Sequence, residues 1–215
     1  MDFSFISEYW PQFTRGAWMT LQLSFFGVLF GTVLGIVIAL LRISKPFIVR
    51  FLASVYIEII RGTPMLVQIV IIYYGLTNFG INLPGFTSGV IALSLNSAAY
   101  MAEVFRAGID AIDKGQNEAA RSLGMTHGMT MRHIILPQAF RNMLPAIGNE
   151  FIVIIKDSSL VSTIGIAELM YRTGTVTSIT YLSLEPLLVA AAVYFVMTFT
   201  LSKLLGAFER KLKTQ

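Results

Sequence analysis

The chain has 215 residues and a formal net charge of +4, with 55% hydrophobic and 13% charged residues. Soluble domains carry about 25% charged residues, and a soluble core could not bury so much apolar surface, as the mean hydropathy of +0.70 also indicates. The composition therefore predicts an integral membrane protein. Since the chain has no cysteine and two histidines, disulfide frameworks, thiolate metal sites and cysteine nucleophiles are excluded, and no metal site is expected.

Five stretches come close to the roughly 20 predominantly apolar residues that a helix needs to cross a bilayer. The second is interrupted by Glu58, Arg61 and Pro64, and the fourth meets a polar cluster at residues 156–159. The predicted spans are residues 17–41, 51–76, 86–105, 143–169 and 187–208. We therefore expect one all-α transmembrane domain, residues 1–215, with five transmembrane helices.

The distribution of basic residues predicts the orientation of these helices. Twelve of the 16 lysines and arginines lie in three places: after the first span, between the third and fourth spans, and at the C-terminal end. Cytoplasmic loops carry such an excess of positive charge. The N-terminus is therefore expected outside the cell and the C-terminus inside.

The cytoplasmic stretch 106–141 is too long for a simple connection. GQNEAARSLGM predicts a helix that stops at Gly124, and MTMRHIILPQAF predicts a second short helix that ends at Pro137. Taken alone, this pattern fits a helix-loop-helix on the membrane surface. The stretch also contains a longer pattern: Glu-Ala-Ala, then Gly after three residues, then Ile-x-Leu-Pro after nine more. Every defined position of this pattern is present, at Glu118, Ala119, Ala120, Gly124, Ile134, Leu136 and Pro137.

This motif resembles the EAA loop of ABC importer permeases, the segment that docks into a cleft of the cytoplasmic ATPase. The segments IEIIRGTPMLVQ, NSAAYMAEVFRAGIDAIDKGQNEAARSLGM, ILPQAFRNMLPAIGNEFI and IKDSSLVS are similar to the polar amino acid uptake subfamily (the histidine, arginine and glutamine type), and they cover most of residues 57–162. The resemblance assigns ATPase coupling to the seven motif positions. It implies a multi-pass transport subunit of a bacterial cytoplasmic membrane, with a cytoplasmic coupling-helix loop, and not an enzyme.

The resemblance also implies the partners. Two permease subunits line the pathway, either two copies of this chain, which we favour, or this chain and a paralogue. An ATPase dimer drives alternating access, and an extracytoplasmic binding protein delivers the amino acid. Because this chain has no GxxxxGK[ST] phosphate loop, we expect no cofactor in it, with ATP and magnesium bound by the partner ATPase. No nucleic acid partner is expected.

Ionisable residues at membrane depth are costly, so each is a candidate site. Asn96, Tyr100 and Glu103 share one helical face, next to the small residue Ser97. Glu103 has a competing partner in Arg106, one turn further on. Glu58 and Arg61 stand three residues apart and can neutralise one another, while Pro64 predicts a kink.

The second candidate cluster is Lys156, Asp157, Ser158 and Ser159. Counted from Met143 at about 1.5 Å per residue, it lies near mid-membrane, with apolar helix expected to resume at Leu160. A polar break at that depth must be buried in protein or line a wet cavity. We expect these four residues to bind substrate together with Asn96, Ser97, Tyr100 and Glu103, although a structural Lys156–Asp157 ion pair is the alternative.

The two acids, Glu103 and Asp157, favour a basic L-amino acid as the substrate, because one carboxylate could bind the α-ammonium group and the other a cationic side chain. An uncharged polar amino acid such as glutamine is the alternative. Two further functional classes are a secondary amino acid transporter and a structural membrane anchor. Five spans without a visible repeat and the matched loop motif disfavour the first. The polar residues within the spans disfavour the second.

Overall fold

The computed structural model describes residues 1–213, and within them every regular element is helical. The helices are α1 Ile6–Arg42, α2 Phe47–Gly62, α3 Met65–Asn78, α4 Gly85–Asp110, α5 Lys114–Ser122, α6 His127–Thr130, α7 Leu136–Asp157, α8 Leu169–Thr180 and α9 Glu185–Lys213. A π-helical turn, Met131–Ile135, joins α6 to α7, and a 3-10 helix, Ser158–Ile164, follows α7. The expected all-α fold is confirmed.

Two helices of the described chain are long and apolar enough to cross a membrane alone, namely α1 and residues Glu185–Lys211 of α9. A third candidate is the pair α2 and α3, if the two are counted as one broken span. Helices α4 and α7 do not reach the same apolarity, because they carry polar residues that the fold turns inward, such as Asn96 and Glu150. Asn96 and Glu150 therefore contact other parts of the protein.

Helices α1 and α4 pack closely through a stripe of small residues. A Cβ atom placed on Gly31 would lie 2.6 Å from Ser97 Cβ, and one on Gly35 would lie 2.5 Å from Met101 Cβ. Side chains at these glycines would force the helices apart, which is the reason small residues mark contacts between membrane helices. On the α4 side, Ser97 and its two following alanines are fully buried. This contact fixes the helix that carries the first candidate cluster.

The second predicted span is not one kinked helix. It consists of α2 and α3, which meet at 111° around Thr63 and Pro64. Pro64 has no N–H to donate and disfavours helical geometry at the preceding residue, and Thr63 is accordingly extended, with φ −113° and ψ 142°. The change of direction is therefore a complete helix break.

Two helix boundaries predicted near Pro137 and Leu160 are wrong. The helix does not end at Pro137, which lies in the first turn of α7; the π-helical turn before it accommodates the missing N–H, and Leu136 N donates to Met131 O, five residues back. After Asp157 no α-helix resumes at Leu160. The tighter 3-10 helix continues to Ile164 and ends at Gly165, whose φ of +81° lies in the left-handed region.

Candidate functional site

The helix break between α2 and α3 is held by two amide side chains. Gln68 Nε2 donates to the carbonyl oxygens of Ile60 at 2.7 Å and Thr63 at 2.9 Å, two groups near the break. Asn96 Nδ2 donates in turn to Gln68 Oε1 at 3.0 Å, and both side chains are buried. Asn96 therefore ties α4 to the break. If Asn96 also binds substrate, it does so while its amide N–H group is bonded to Gln68.

Glu103 lies at the centre of an ion-pair cluster formed by the ends of three helices. Its Oε1 accepts a hydrogen bond from Arg42 Nη1 of α1, and its Oε2 accepts one from Arg106 Nε of α4 at 3.0 Å. Arg61 of α2 lies 3.7 Å from Oε1. Arg106 also reaches Asp110 at 2.7 Å. Two acids and three arginines thus leave the cluster with a surplus of one positive charge.

Arg61 contacts Tyr100 as well as Glu103. Its guanidinium carbon lies 5.5 Å from the centre of the Tyr100 ring, within the range of a cation–π contact. Both side chains are partly open, since 46% of the Arg61 side chain and 39% of Tyr100 are exposed. Glu58 was expected to neutralise Arg61, but the ion pairs of the described residues do not include a pair between these two side chains.

The break after α7 positions the second candidate cluster. Ser158 is fully buried, and its Oγ donates to Ile155 O at 2.8 Å, which satisfies a carbonyl at the helix end. Ser159 O accepts from Ser162 Oγ at 2.6 Å. Lys156 is exposed and Asp157 is half-buried, and the ion pairs of the described chain do not include a direct pair between them.

Glu150 is a buried acid that the sequence analysis did not single out. It lies on α7, is 8% exposed, and stands beside Ser97 of α4 and within electrostatic range of Asp157. Ser97 Oγ is buried without a hydrogen-bond partner. Glu150 thus connects one member of each candidate cluster, and its seven-residue distance from Asp157, two turns of one helix face, is the signal that could have revealed it.

Glu168 is a second buried acid that sequence reasoning missed. It is fully buried at the start of α8, where its carboxylate accepts from Met170 N at 2.9 Å, Tyr171 N at 2.7 Å and Tyr194 OH at 2.8 Å. Thr20 of α1 donates to it at 3.4 Å. The sequence signal is an acid placed directly before a helix, the position of an N-cap. Glu168 therefore joins α1, α8 and α9.

The segment with the Glu-Ala-Ala motif forms a compact exposed element. Asp113 accepts from Gly115 N at 2.7 Å and caps α5, and Gly124, with φ +81°, ends it. On the short helix between them, Glu118 and Ala119 are exposed, whereas Ala120 is buried. At the other end of the motif Leu136 and Pro137 are exposed and Ile134 is half-buried. Glu118, Ala119, Leu136 and Pro137 are therefore each accessible to a partner.

The structure brings the predicted binding residues into two neighbouring places rather than one. Tyr100 and Glu103 meet Arg61 near the end of α4, while Ser97 of α4 and Asp157 of α7 lie near the buried Glu150. Asn96 and Ser158 are buried and hydrogen-bonded within the fold. Lys156 and Ser159 flank the break after α7.

Comparison with known proteins gives a consistent result. The family described as "Binding-protein-dependent transport system inner membrane component" matches residues 31–214. The arginine transport system permease protein ArtQ of Bacillus subtilis is 43% identical over 217 residues, covering 100% of this chain and 98% of its own length. The putative glutamine transport system permease protein GlnP of Rickettsia bellii is 40% identical, with 98% of each chain covered. The L-cystine transport system permease protein TcyB of Bacillus subtilis is 42% identical, covering 95% of this chain and 88% of its own length.

Solved structures agree with these relatives. One described as the crystal structure of an amino acid ABC transporter with histidines superposes with a TM-score of 0.95 at 55% identity, covering 98% of this chain and 99% of its own. An inward-facing form of the MetNI methionine ABC transporter superposes with a TM-score of 0.81 at 20% identity, with 99% of each chain covered, and it supports the fold alone.

Proposed function

Because the chain belongs to the family of binding-protein-dependent transport system inner membrane components, we propose that it forms half of the pathway through which an ABC importer carries basic L-amino acids into the cell. As a permease subunit it is not the ATPase, which is a separate chain. The expected resemblance to amino acid permeases is confirmed.

The observation that supports a basic substrate is the position of Arg61. A guanidinium lies over the Tyr100 ring and 3.7 Å from the Glu103 carboxylate. An aromatic face and a carboxylate together favour a cation, and a planar guanidinium suits both. A guanidinium or ammonium group on a substrate side chain has the same complementarity. Lys156, exposed beside the break after α7, supplies a cation for the α-carboxylate.

A second candidate is a permease for uncharged polar amino acids such as glutamine. The observation that favours it is the engagement of both Glu103 oxygens by Arg42 and Arg106. A carboxylate already neutralised within the protein attracts a cationic substrate less strongly.

The proposed topology keeps the five predicted spans, with the N-terminus outside and the EAA loop and C-terminus in the cytoplasm of a bacterial cell. The broken pair α2 and α3 counts as one span, and α4 and α7 cross with their polar faces against protein. A second permease subunit, favoured as another copy of this chain, faces these exposed polar groups across a shared pathway, because Arg61 and Lys156 would be costly in lipid. A Thr126→Cys variant of this cysteine-free chain should react with an impermeant reagent only after the membrane is opened; labelling on intact cells would contradict the topology.

Uptake into liposomes tests the function. The permease is reconstituted with its partner ATPase, with binding protein outside and ATP inside, and labelled arginine and glutamine are supplied separately. ATP-dependent import in which arginine exceeds glutamine supports the proposal. Import without ATPase and ATP would indicate a secondary transporter, and no import under any condition would indicate an anchor. Glutamine import alone would establish the second candidate.

The same liposomes test the coupling role of the cytoplasmic motif. Glu118 is exposed on α5, so Glu118→Lys should leave the fold intact and abolish most ATP-driven import by reversing the charge that faces the ATPase. Gln116→Lys is the matched control, since it adds a cation at another exposed position of α5. Normal import by Glu118→Lys, or equal loss in both variants, would contradict a specific contact by Glu118.

A further inference from the structure

Three arginines surround Glu103, and they are not equivalent. Arg42 and Arg106 donate hydrogen bonds to its two oxygens, whereas Arg61 lies 3.7 Å away, outside hydrogen-bonding distance. The Arg61 side chain is also the most exposed of the three, at 46% against 24% for Arg42 and 42% for Arg106. Arg61 is therefore the guanidinium that the carboxylate holds least firmly.

The position of Arg61 in the chain gives it freedom to move. It is in the last turn of α2, directly before the break at Thr63 and Pro64. A Cβ on the adjacent Gly62 would meet nothing within 4 Å. The fixed contacts of the break are made by Gln68 and not by Arg61. Arg61 can therefore leave the ring of Tyr100 without loss of the bonds that hold α2 and α3 at their angle.

We propose that Arg61 is an internal occupant of the cation site, covering Tyr100 and Glu103 in the empty permease until the side chain of a basic substrate displaces it. The inference rests on the proposed function. Arg61 and a substrate guanidinium or ammonium compete for the same ring face and the same carboxylate oxygen. A neutral side chain gains nothing from that exchange. Arg61 is thus a specificity-determining residue that lowers the affinity for basic substrates.

The competition predicts that removal of the Arg61 cation strengthens arginine binding. Labelled L-arginine and L-glutamine are measured by equilibrium dialysis on the purified permease–ATPase complex without binding protein. Arg61→Gln should bind arginine about five times more tightly, the size of a partly exposed cation–π contact, with glutamine binding unchanged. Arg61→Lys keeps a cation over the ring and should stay within about twofold of the unmodified chain.

Arg50→Gln is the matched control. Arg50 is also on α2 and also contacts an aromatic ring, that of Phe47 at 5.9 Å, but none of the ion pairs of the described residues includes it. The Arg50→Gln variant removes the same charge and should leave the affinities for arginine and glutamine unchanged. Unchanged arginine binding in Arg61→Gln, or an equal gain for both amino acids, would overturn the inference. Weaker binding of both would also overturn it and would identify Arg61 as a ligand of the α-carboxylate.

The uptake experiment on the unmodified complex separates the two possible failures. If that complex imports neither amino acid, the proposed function itself is wrong. If it imports arginine normally while Arg61→Gln shows no change in arginine binding, the permease assignment stands and only the internal occupant is refuted.

Discussion

Glu168 and Glu103 are two acids inside the same helical protein, and the groups that donate to them differ. Glu168 is fully buried, and its donors are fixed: the backbone N–H groups of Met170 and Tyr171, and the hydroxyl of Tyr194. Glu103 is 20% exposed at its side chain and is surrounded by three flexible guanidinium groups. The first carboxylate is held by the fold itself, and the second by side chains that can change partners.

The difference separates a structural acid from one suited to a ligand. Removing the Glu168 carboxylate leaves four donors around a fully buried position without their acceptor, which is costly away from water. Removing the Glu103 carboxylate leaves arginines that are partly open to water, which costs less. A substrate can compete for an acid of the second kind, because the exchange replaces one cation by another. The acid most important for the fold is therefore not the one most suited to transport.

The largest expected effect is that of Glu168→Ala. We expect a loss of about 3 kcal/mol or more in the free energy of unfolding, because two N–H donors of α8 and the hydroxyl groups of Tyr194 and Thr20 lose an acceptor that is fully buried. This loss of stability is measured as a fall in the thermal midpoint of the purified protein in detergent. Glu168→Gln, which keeps one acceptor oxygen, should lose less. Glu8→Ala, at an exposed acid of α1, is the control and should change little. If Glu168→Ala were as stable as the unmodified protein, Glu168 would not be a structural acid and the contrast with Glu103 would fail.

The next largest effect is that of Glu103→Gln on arginine import. Glu103→Gln should change the stability by less than about 1 kcal/mol, since its ion pairs are partly exposed. Arginine import should fall about tenfold or more, because a charged hydrogen bond becomes a neutral one, while glutamine import changes little. Uptake into liposomes measures both. If Glu103→Gln and Asp157→Asn each import arginine like the unmodified chain, neither carboxylate recognises the substrate and the basic preference fails.

Local chemistry explains which parts of the fold were predictable from the sequence. The stop of α5 at Gly124 follows from the freedom of glycine to adopt a positive φ, and a change of direction at Pro64 from the missing proline N–H, although a kink and not a complete break was expected there. The 111° angle was not predictable, because it depends on Gln68 and Asn96, which lie 28 residues apart. The continuation of the helix through Pro137 was missed because a π-helical turn can absorb a proline.

The candidate site was predictable as a set of residues but not as an arrangement. Helical spacing places Tyr100 and Glu103 close together on α4. It could not show that Arg61 of α2 would cover them, because that contact depends on how α2 packs against α4. Glu150 and Glu168 were missed because their burial is produced by tertiary packing. The spacing of Glu150 from Asp157 and the N-cap position of Glu168 indicate where the two acids lie, but not that they are buried.

The smallest expected effect is that of Asp110→Asn, which tests whether the Glu103 cluster acts as separable pairs. Asp110 is the outermost acid, with 63% of its side chain exposed and Arg106 as its partner at 2.7 Å, one turn away on α4. Exposed pairs at this spacing contribute about 0.3–0.5 kcal/mol, so the thermal midpoint and arginine import should barely change. Arg106 keeps its contact with Glu103 in this variant, and the carboxylate stays neutralised as before. A loss of arginine import as large as that in Glu103→Gln would mean that the three arginines and two acids move as one unit, and that Arg61 cannot exchange independently of the rest.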